Sequence, residues 1–225
     1  MLYAATYTMH ADKRSDCCTY FASMSEEGLA AEAGPDAKLL GRWHNPAEGS
    51  GFLICEAKSV TALHEWMWKW SEDLCTIKVM PILNDDMARE VVLGTKPAFS
   101  MSLDHLDDDP RDGESLFILH WSFKSHPEHK LPAYEKFAGM TEEDEIKDRG
   151  NCRYLGRFHD MSGGTGFQVA AAKSEIDLYK WAFHWAGSID LTWVPVVKDK
   201  TAQDIIKKKA GYDARLASLM DKMKA

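Results

Sequence analysis

Hydrophobic and polar residues alternate along the start of the chain, which reads LYAATYTM over residues 2–9. The same alternation returns in LFILHWSF, residues 116–123. A period of two predicts strands with one buried face and one more polar face. Each strand is followed by a pattern that predicts helix, over about 13–32 and about 128–148. A strand followed by a helix therefore occurs twice.

A second helix is predicted in each half by apolar residues at helical spacing. The segments LHEWMWKWSEDL and LYKWAFHWAGSI each place five such residues at i, i+3, i+4, i+7 and i+11, which is one face of a helix. A last strand closes each half and contains Pro81 or Pro195, where proline predicts an edge or a strand end. The predicted faces are Leu63, Trp66, Met67, Trp70, Leu74, and Leu178, Trp181, Ala182, Trp185, Ile189.

The chain also repeats itself in its central segments. LLGRWH at 39–44 returns as YLGRFH at 154–159, and GSGFLICEAKS at 49–59 returns as GTGFQVAAAKS at 164–174. The glycine clusters join two strands and open no helix, which favours hairpin turns over phosphate-binding loops. Each half thus has the order β-α-β-β-α-β, the ferredoxin-like unit, and a repeat of this length indicates a duplicated domain.

These patterns predict an α+β protein of two fused ferredoxin-like repeats. Helices on one face of each sheet leave the other face bare, and Leu40, Leu116 and Ile118 make that face too apolar for water. We therefore expect the two sheets to pack against each other as an intramolecular α+β barrel. The expected parts are a first repeat at 1–92, an acidic linker at 93–114, a second repeat at 115–200 and a C-terminal helical tail at 201–225.

Each repeat resembles a unit of the dimeric α+β barrel superfamily. More narrowly, the skeleton LGRWH…GxGF…W…P resembles a family of short proteins that is known only as a domain of unknown function, here in tandem. In that family one chain usually carries one copy and two chains complete the barrel. The wider superfamily includes cofactor-free oxygenases and haem-handling enzymes, so the resemblance implies the fold and leaves the activity open.

Composition narrows the classes of partner. The 225 residues carry a formal net charge of −8, which argues against nucleic acid. No apolar run approaches the ~20 residues that a membrane span needs, and the first residues lack the features of a secretory leader. Five cysteines without a CxxC pair favour a reducing compartment. We expect a cytoplasmic location, with an organelle as the alternative.

Strand alternation groups the polar residues of the repeated phrases into a candidate site. Arg42 and His44 share one face of their strand, as do Arg157 and His159, and the aromatic face is expected under the helices. Two Arg/His pairs would then line the space between the sheets. The more polar faces of the first strands, at 2–9 and 116–123, add Thr6, His120 and Ser122 to the candidate site. The predicted catalytic residues are His120, Arg157 and His159, and the predicted ligand-binding residues are Thr6, Arg42, His44 and Ser122.

Two hypotheses follow from these Arg/His pairs. Arginine suits a carboxylate or phosphate and histidine suits proton transfer, which together indicate an anionic small molecule. Alternatively, the pairs lie near strand ends and bind acids or carbonyls of their own domain, such as Glu56 or Asp160. Metal binding has little support, because only His126 and His129 in HPEH are closely spaced. We predict no metal site.

Three functions stay open at this point. The first is a small-molecule binding protein or an enzyme of unassigned reaction. The second is a monooxygenase-like or haem-handling enzyme, with His44, His120 or His159 as the axial ligand; the cofactor is left unknown. The third is a non-catalytic interaction or stress-associated protein. Trp68 and Phe183 lie off the apolar helix faces at equivalent positions, which indicates either a homodimer contact or cover by the linker or tail.

Overall fold

The computed structural model describes residues 1–124, 128 and 130–224. A similar succession of strands and helices occurs twice within these residues. The strands are β1 (Leu2–Met9), β2 (Ala37–Asn45), β3 (Ser50–Ala57), β4 (Cys75–Pro81), β5 (Leu83–Asn84), β6 (Ser115–Phe123), β7 (Arg153–Asp160), β8 (Thr165–Ala172) and β9 (Ile189–Lys198). The helices are α1 (Arg14–Ser23), α2 (Glu26–Ala31), α3 (Val60–Ser71), α4 (Asp85–Leu93), α5 (Lys130–Gly139), α6 (Glu142–Arg149), α7 (Glu175–Trp185), α8 (Asp199–Lys207) and α9 (Tyr212–Lys224).

The chain divides into two compact units whose limits differ from those of the sequence repeats. Unit 1 comprises Met1–Pro81 and Val196–Ala225, and unit 2 comprises Ile82–Pro195. The segment after the last strand of the first repeat therefore belongs to unit 2. The segment after Pro195 returns to unit 1.

Unit 1 contains an antiparallel sheet in the order β4-β1-β3-β2. The end of β9 adds to its edge, where Val197 pairs with His44 and Lys198 with Trp43. Helix α3 covers one face and forms a core with β1 and β3. That core consists of Tyr3, Ala5, Ala33, Leu53, Cys55, Ala57, Leu63, Trp66 and Met67.

Unit 2 repeats this arrangement with the antiparallel order β6-β8-β7-β5 beside the start of β9. Its core joins the sheet to α5 and α7. The residues of that core include Leu119, Trp121, Tyr134, Phe137, Tyr154, Leu178, Trp181, Trp185 and Ile189. The α+β class and the ferredoxin-like element order are confirmed in both units, while the sheet-to-sheet packing stays a prediction.

Equivalent serines begin the long helix of each unit. The hydroxyl of Ser59 accepts a hydrogen bond from the backbone N–H of Ala62 at 3.1 Å, and that of Ser174 accepts one from Asp177 at 3.3 Å. A serine in this position satisfies a backbone donor that has no partner within the helix. The repeated letters AKS thus mark the end of a strand and the start of a helix.

The structure corrects several predicted limits. Each first helical pattern is two helices, because extended backbone at Met24 and Ser25 separates α1 from α2 and a capping box at Thr141 starts α6 anew. Leu74 lies beyond α3, and Ile189 opens β9. Pro81 ends its strand as predicted. By contrast, β9 continues past Pro195, since its last residues pair in unit 1.

Two surface predictions can be compared with side-chain exposure. The predicted linker is mostly exposed, but Leu106 is buried. Trp68 is 63% exposed and Phe183 is 82% exposed, so the described residues of the linker and tail do not cover them. Within the described part of the chain, no helix has the length and apolar character needed to cross a membrane.

Candidate functional site

In unit 1 the arginine and histidine of LLGRWH bind the carboxylate of Asp199. Arg42 Nε donates to Asp199 Oδ1 at 2.8 Å and Nη2 donates to Oδ2 at 2.6 Å. His44 Nε2 lies 2.6 Å from Asp199 Oδ1. Arg42 Nη1 also binds Glu32, which follows α2. Because Asp199 is the first residue of α8, Arg42 and His44 bind the N-terminus of that helix.

Unit 2 contains the same arrangement around Asp85, the first residue of α4. Arg157 Nε lies 2.9 Å from Asp85 Oδ1 and Nη2 lies 2.7 Å from Oδ2. His159 Nε2 lies 2.8 Å from Oδ1. Arg157 Nη2 also donates to Glu145 at 2.6 Å, and Glu145 in turn binds Arg89. We call each of these ion clusters a clamp.

Each clamp holds an aspartate that comes from the other repeat. Asp85 follows the last strand of the first repeat and binds the phrase of the second, while Asp199 follows β9 and binds the phrase of the first. A carboxylate is favoured at a helix N-terminus by the helix dipole. Burial opposes ionisation, but Arg157 and His159 hold the pKa of Asp85 well below its ordinary value, and Arg42 and His44 do the same for Asp199.

The Arg/His faces of the strands lie under the helices, contrary to the prediction. The His44 ring is 4.6 Å from the ring of Phe21 in α1, measured between centroids. The His159 ring is likewise 4.6 Å from Phe137 in α5. The expectation that these pairs point away from the helices is wrong because their carboxylate partners come from helix termini and adjoining turns. Buried arginines on this face are compensated there.

The other predicted residues lie on the opposite face of their sheets. Tyr7 of β1 and Trp121 of β6 face the helices. Their strand neighbours Thr6, His120 and Ser122 therefore point to the other side. The structure thus brings Arg157 and His159 together, as it does Arg42 and His44. It does not bring His120 or Ser122 to the second pair, or Thr6 to the first.

The clamps bear directly on the predicted anionic ligand. Arg42 is paired with Asp199 and Glu32, and Arg157 is paired with Asp85 and Glu145. Each arginine thus meets two carboxylates of its own chain, which leaves its charge compensated without a ligand. The alternative that the pairs bind acids of the protein fits this geometry, although the partners are neither Glu56 nor Asp160.

A cavity of about 50 Å³ lies between the helices and the sheet of unit 1, beside its clamp. Most of its walls are apolar. One water needs about 10–15 Å³ of such a cavity, so this cavity has room for a group of a few non-hydrogen atoms. The lining residues are Ala5, Tyr7, Met9, Cys17, Phe21, Glu32, Arg42, His44, Leu53, Trp66, Met67, Trp70, Cys75 and Ile77.

Three polar groups form a hydrogen-bonded chain in the wall of this cavity. The Tyr7 hydroxyl lies 2.5 Å from His44 Nδ1, and His44 Nε2 reaches Asp199 at 2.6 Å. Burial lowers the pKa of His44 and raises that of Tyr7, so a neutral imidazole faces a neutral phenol. In that state Nε2–H donates to Asp199 and Nδ1 accepts from Tyr7. A base positioned by a carboxylate is the arrangement used for proton transfer.

Unit 2 has a matching cavity of about 50 Å³ with a different lining. Trp121 stands where unit 1 has Tyr7, and Nδ1 of His159 is buried with no hydrogen-bond partner among the residues that the structure describes. Ala133 and Ile189 stand where unit 1 has two cysteines. The remaining lining residues are Phe123, Tyr134, Phe137, Arg157, Gln168, Trp181 and Trp185.

The glycine before the phenylalanine in GSGF and GTGF makes room for these rings. Gly51 pairs with Tyr7 across β1 and β3, and Gly166 pairs with Trp121 across β6 and β8. A Cβ atom at either glycine would collide with the ring opposite. The motif thus positions Tyr7 over its neighbouring strand, within reach of His44.

The metal prediction concerns a cluster that the structure does not describe. His126 and His129 lie outside the described residues. Among the residues that are described, no group of three or more histidine, cysteine, aspartate or glutamate side chains is arranged to hold a metal ion.

The histidines do not fit the haem hypothesis. Both ring nitrogens of His44 bind protein groups, so neither offers a free lone pair for iron. Nδ1 of His159 has no partner within the described part of the chain, but the cavity beside it, of about 50 Å³, is smaller than the roughly 150 Å³ that accepts benzene. His120 lies on the other sheet face, with its ring 4.7 Å from Phe167. We therefore assign no step to haem.

Sequence reasoning missed the residues that complete the site. Strand alternation places Tyr7 on the face opposite Thr6, away from the predicted site, and the predicted site contains neither Asp85 nor Asp199. One signal was available for the aspartates: each is the first acid after the last strand of its repeat, in LNDD and VKDK. No comparable signal singles out Tyr7, since its role depends on which face the helices cover.

The family comparison matches both halves of the chain. The description "Domain of unknown function (DUF3303)" fits residues 1–96 and again residues 115–210. The chain belongs to this family. It carries two copies of the family's domain in tandem, which agrees with the sequence repeat. No curated protein matches the chain significantly.

Several solved structures are similar to this member of the DUF3303 family. A candidate chlorite dismutase shares 11% identity at a TM-score of 0.49, over 91% of this chain and 98% of its own. A candidate monooxygenase from Lactobacillus acidophilus shares 10% identity at 0.46, over 88% and 93%. Another, from Fusobacterium nucleatum, shares 7% identity at 0.46, over 88% and 91%.

Proposed function

We propose that this protein is a small-molecule enzyme that removes a proton from an uncharged substrate in the cavity of unit 1. The single observation that carries this proposal is the chain Tyr7–His44–Asp199 in the wall of that cavity. Tyr7 lines the cavity, so a molecule in it can contact this side chain. The compensated charge of Arg42 and the apolar walls favour a neutral molecule over the anion expected from the sequence.

The chain works as a base in this proposal. The substrate proton passes to Tyr7 Oη while the proton of Tyr7 passes to His44 Nδ1. The imidazolium that results is stabilised by Asp199, whose low pKa keeps it ionised. The low pKa of His44 keeps it neutral and ready to accept at pH 7. Substrates of this class carry an acidic O–H, or a C–H beside a carbonyl.

Acetone is a suitable probe because it is uncharged, small and a weak C–H acid. Proton–deuterium exchange of its methyl groups in D₂O, followed by NMR, measures proton abstraction. We expect Tyr7→Phe to lower the protein-catalysed exchange rate at least tenfold, roughly the lower end of what a positioned base contributes. Tyr179→Phe is the matched control, since Tyr179 is 65% exposed on α7. Equal rates for the wild type and Tyr7→Phe would contradict the proposal.

A monooxygenase-like reaction is the second candidate. The chemistry that favours it is the same chain beside an apolar cavity, because removing a proton makes a small carbon acid electron-rich. Two similar solved structures carry the description of a candidate monooxygenase. An oxygen electrode with acetone, the probe of the exchange assay, separates the two candidates. Oxygen uptake that is lost in Tyr7→Phe supports the oxygenase, and exchange without uptake supports proton transfer alone.

A non-catalytic role remains the outcome if both assays fail. In that case the clamps and cavities would be parts of the fold, and small-molecule and homodimer partners would have to be sought at the surface. The cytoplasmic location stays a prediction from the use of cysteine.

A further inference from the structure

Two thiols of unit 1 lie against each other inside the protein. Cys17 is in α1 and Cys75 is the first residue of β4, and their sulfur atoms are 3.8 Å apart. Both residues are buried, at 1% and 3% exposure. Two sulfur atoms that are already in contact need a short approach to reach the bonding distance of about 2.05 Å.

Both thiols also line the cavity of unit 1, together with Tyr7. Side chains in a cavity wall are accessible to any molecule that the cavity can hold. A volume of about 50 Å³ admits molecules of a few non-hydrogen atoms. Hydrogen peroxide is of this size and uncharged, as the apolar walls require. Larger oxidants, such as oxidised glutathione, do not fit.

The other repeat shows that the fold does not need sulfur at these positions. Ala133 in α5 and Ile189 at the start of β9 occupy the equivalent places in the lining of unit 2. An aliphatic pair there packs the same junction of helix and strand. The cysteine pair is therefore a feature of unit 1 and its cavity, separate from the packing that both units share.

We propose that Cys17 and Cys75 are a modification site, at which hydrogen peroxide entering the cavity converts the two thiols into a reversible disulfide. In the first step one thiol gives up its proton and its thiolate attacks peroxide: an S–O bond forms, the O–O bond breaks, and the hydroxide that leaves takes up that proton as water. The second thiol then attacks the sulfenic sulfur: an S–S bond forms, the S–O bond breaks, and the hydroxide that leaves takes the proton of this thiol as a second water. Two thiols lose two electrons and two protons, and one peroxide becomes two waters.

The environment of the pair indicates which sulfur attacks first. A hydrogen bond from Cys17 lowers the pKa of the Cys75 thiol, and the same contact, together with burial, raises the pKa of Cys17. The thiolate is the nucleophile in such reactions. Cys75 is thus the attacking cysteine and Cys17 the resolving one.

The experiment treats the reduced full chain with hydrogen peroxide, blocks the remaining thiols by alkylation and measures the mass of the intact protein and of its peptides. We expect a loss of about 2 Da before alkylation, a peptide pair linked through Cys17 and Cys75, and reversal by dithiothreitol. Cys17→Ala and Cys75→Ile should abolish the link. Both introduce the residues of the other repeat, so the variants should fold.

Three further cysteines provide matched controls. Cys55→Ala and Cys152→Ala remove buried thiols elsewhere, and Cys18→Ser removes the neighbour of Cys17; all three should keep the link. A link through Cys18, or oxidation of the wild type only to sulfinic acid, would overturn the proposal. So would full resistance of the folded protein to peroxide while the unfolded chain oxidises. The readout is covalent mass, so it does not depend on the proton-transfer proposal.

Discussion

The two units share a clamp and differ in the cavity beside it. Arg42, His44 and Asp199 in unit 1 have the same hydrogen bonds as Arg157, His159 and Asp85 in unit 2. The cavity walls differ where chemistry is possible: a tyrosine and two cysteines face the cavity of unit 1, and a tryptophan, an alanine and an isoleucine take their places in unit 2.

This difference separates the role of the repeated phrase from the role of the cavity. In each unit, the arginine and histidine of the repeated phrase, LGRWH or LGRFH, bind the first residue of a helix. This shared structural role accounts for the repetition of the phrase. Trp121, at the position equivalent to Tyr7, has no hydroxyl, so the proposed proton transfer concerns unit 1 alone. The predicted catalytic residues His120, Arg157 and His159 belong to the repeat in which no hydroxyl of the described residues binds Nδ1 of the clamp histidine.

The largest expected effect comes from neutralising the clamp aspartates. Asp85→Asn leaves Arg157 buried beside a neutral amide, and we expect the free energy of unfolding to fall by about 3–5 kcal/mol. Asp199→Asn should cost about 1–3 kcal/mol, because the Asp199 side chain is 28% exposed against 2% for Asp85. Urea denaturation measures both.

The exposed pair of Asp36 and Lys58 provides the control for these substitutions. Their side chains are 55% and 75% exposed, so Asp36→Asn should change the free energy of unfolding by less than about 1 kcal/mol. An Asp199→Asn variant that is destabilised more than Asp85→Asn would contradict the ranking of the two clamps.

Acidification should destabilise the protein in two stages. Burial lowers the folded-state pKa of His44 and His159 below the ordinary 6.5, so the unfolded chain takes up protons first as the pH falls through that value. The folded-state pKa values of Asp85 and Asp199 are also lowered. Their stabilisation is complete above the ordinary aspartate pKa of about 3.9 and is lost as the pH falls through the folded-state values.

Denaturation midpoints between pH 7.5 and pH 5.5 isolate the histidine stage. Either His44→Gln or His159→Gln should reduce the loss of stability over this range, and the double variant should reduce it most. His120 supplies part of the remaining slope, since burial lowers its pKa too. An unchanged slope in the double variant would show that the clamp histidines do not titrate in this range.

A single substitution tests whether the missing hydroxyl is what distinguishes unit 2. Trp121→Tyr places a phenol over Gly166, where Tyr7 lies over Gly51 in unit 1. We expect the ¹⁵N chemical shift of His159 Nδ1 to move toward that of His44 Nδ1, because both would accept from a phenol. Trp121→Phe has no hydroxyl and is the control. Equal shifts in both variants would contradict this account.

The sequence predicts the elements well and the site incompletely, for physical reasons. Strand alternation and the helical spacing of Trp66 and Trp181 depend on local periodicity, which is visible in one chain. Alternation also pairs Arg42 with His44 correctly. It cannot decide which face the helices cover, since the arginines on that face are paired with carboxylates from distant segments, Asp85 and Asp199.

The boundaries of the units show the same limit. The repeats end where the pattern ends, but the structure carries β9 beyond Pro195 and sends Asp85 and Asp199 to the phrase of the other repeat. Such an exchange leaves no mark on local periodicity. Only the matched position of the two aspartates after their strands points to it.

The smallest expected effects concern the exposed aromatic residues of the long helices, which are equivalent in the two units. Trp68→Ser and Phe183→Ser should each change the free energy of unfolding by less than about 0.5 kcal/mol, because both side chains are mainly exposed. Phe183 has exposed apolar neighbours on α7, Ile176 and Tyr179, so it is the better candidate for a contact between two copies.

Light scattering after size exclusion tests this contact. If two copies of the chain meet through α7, Phe183→Ser should lower the measured mass toward 25.4 kDa while Trp68→Ser leaves it unchanged. A wild type that already elutes at that mass removes the homodimer hypothesis for both residues.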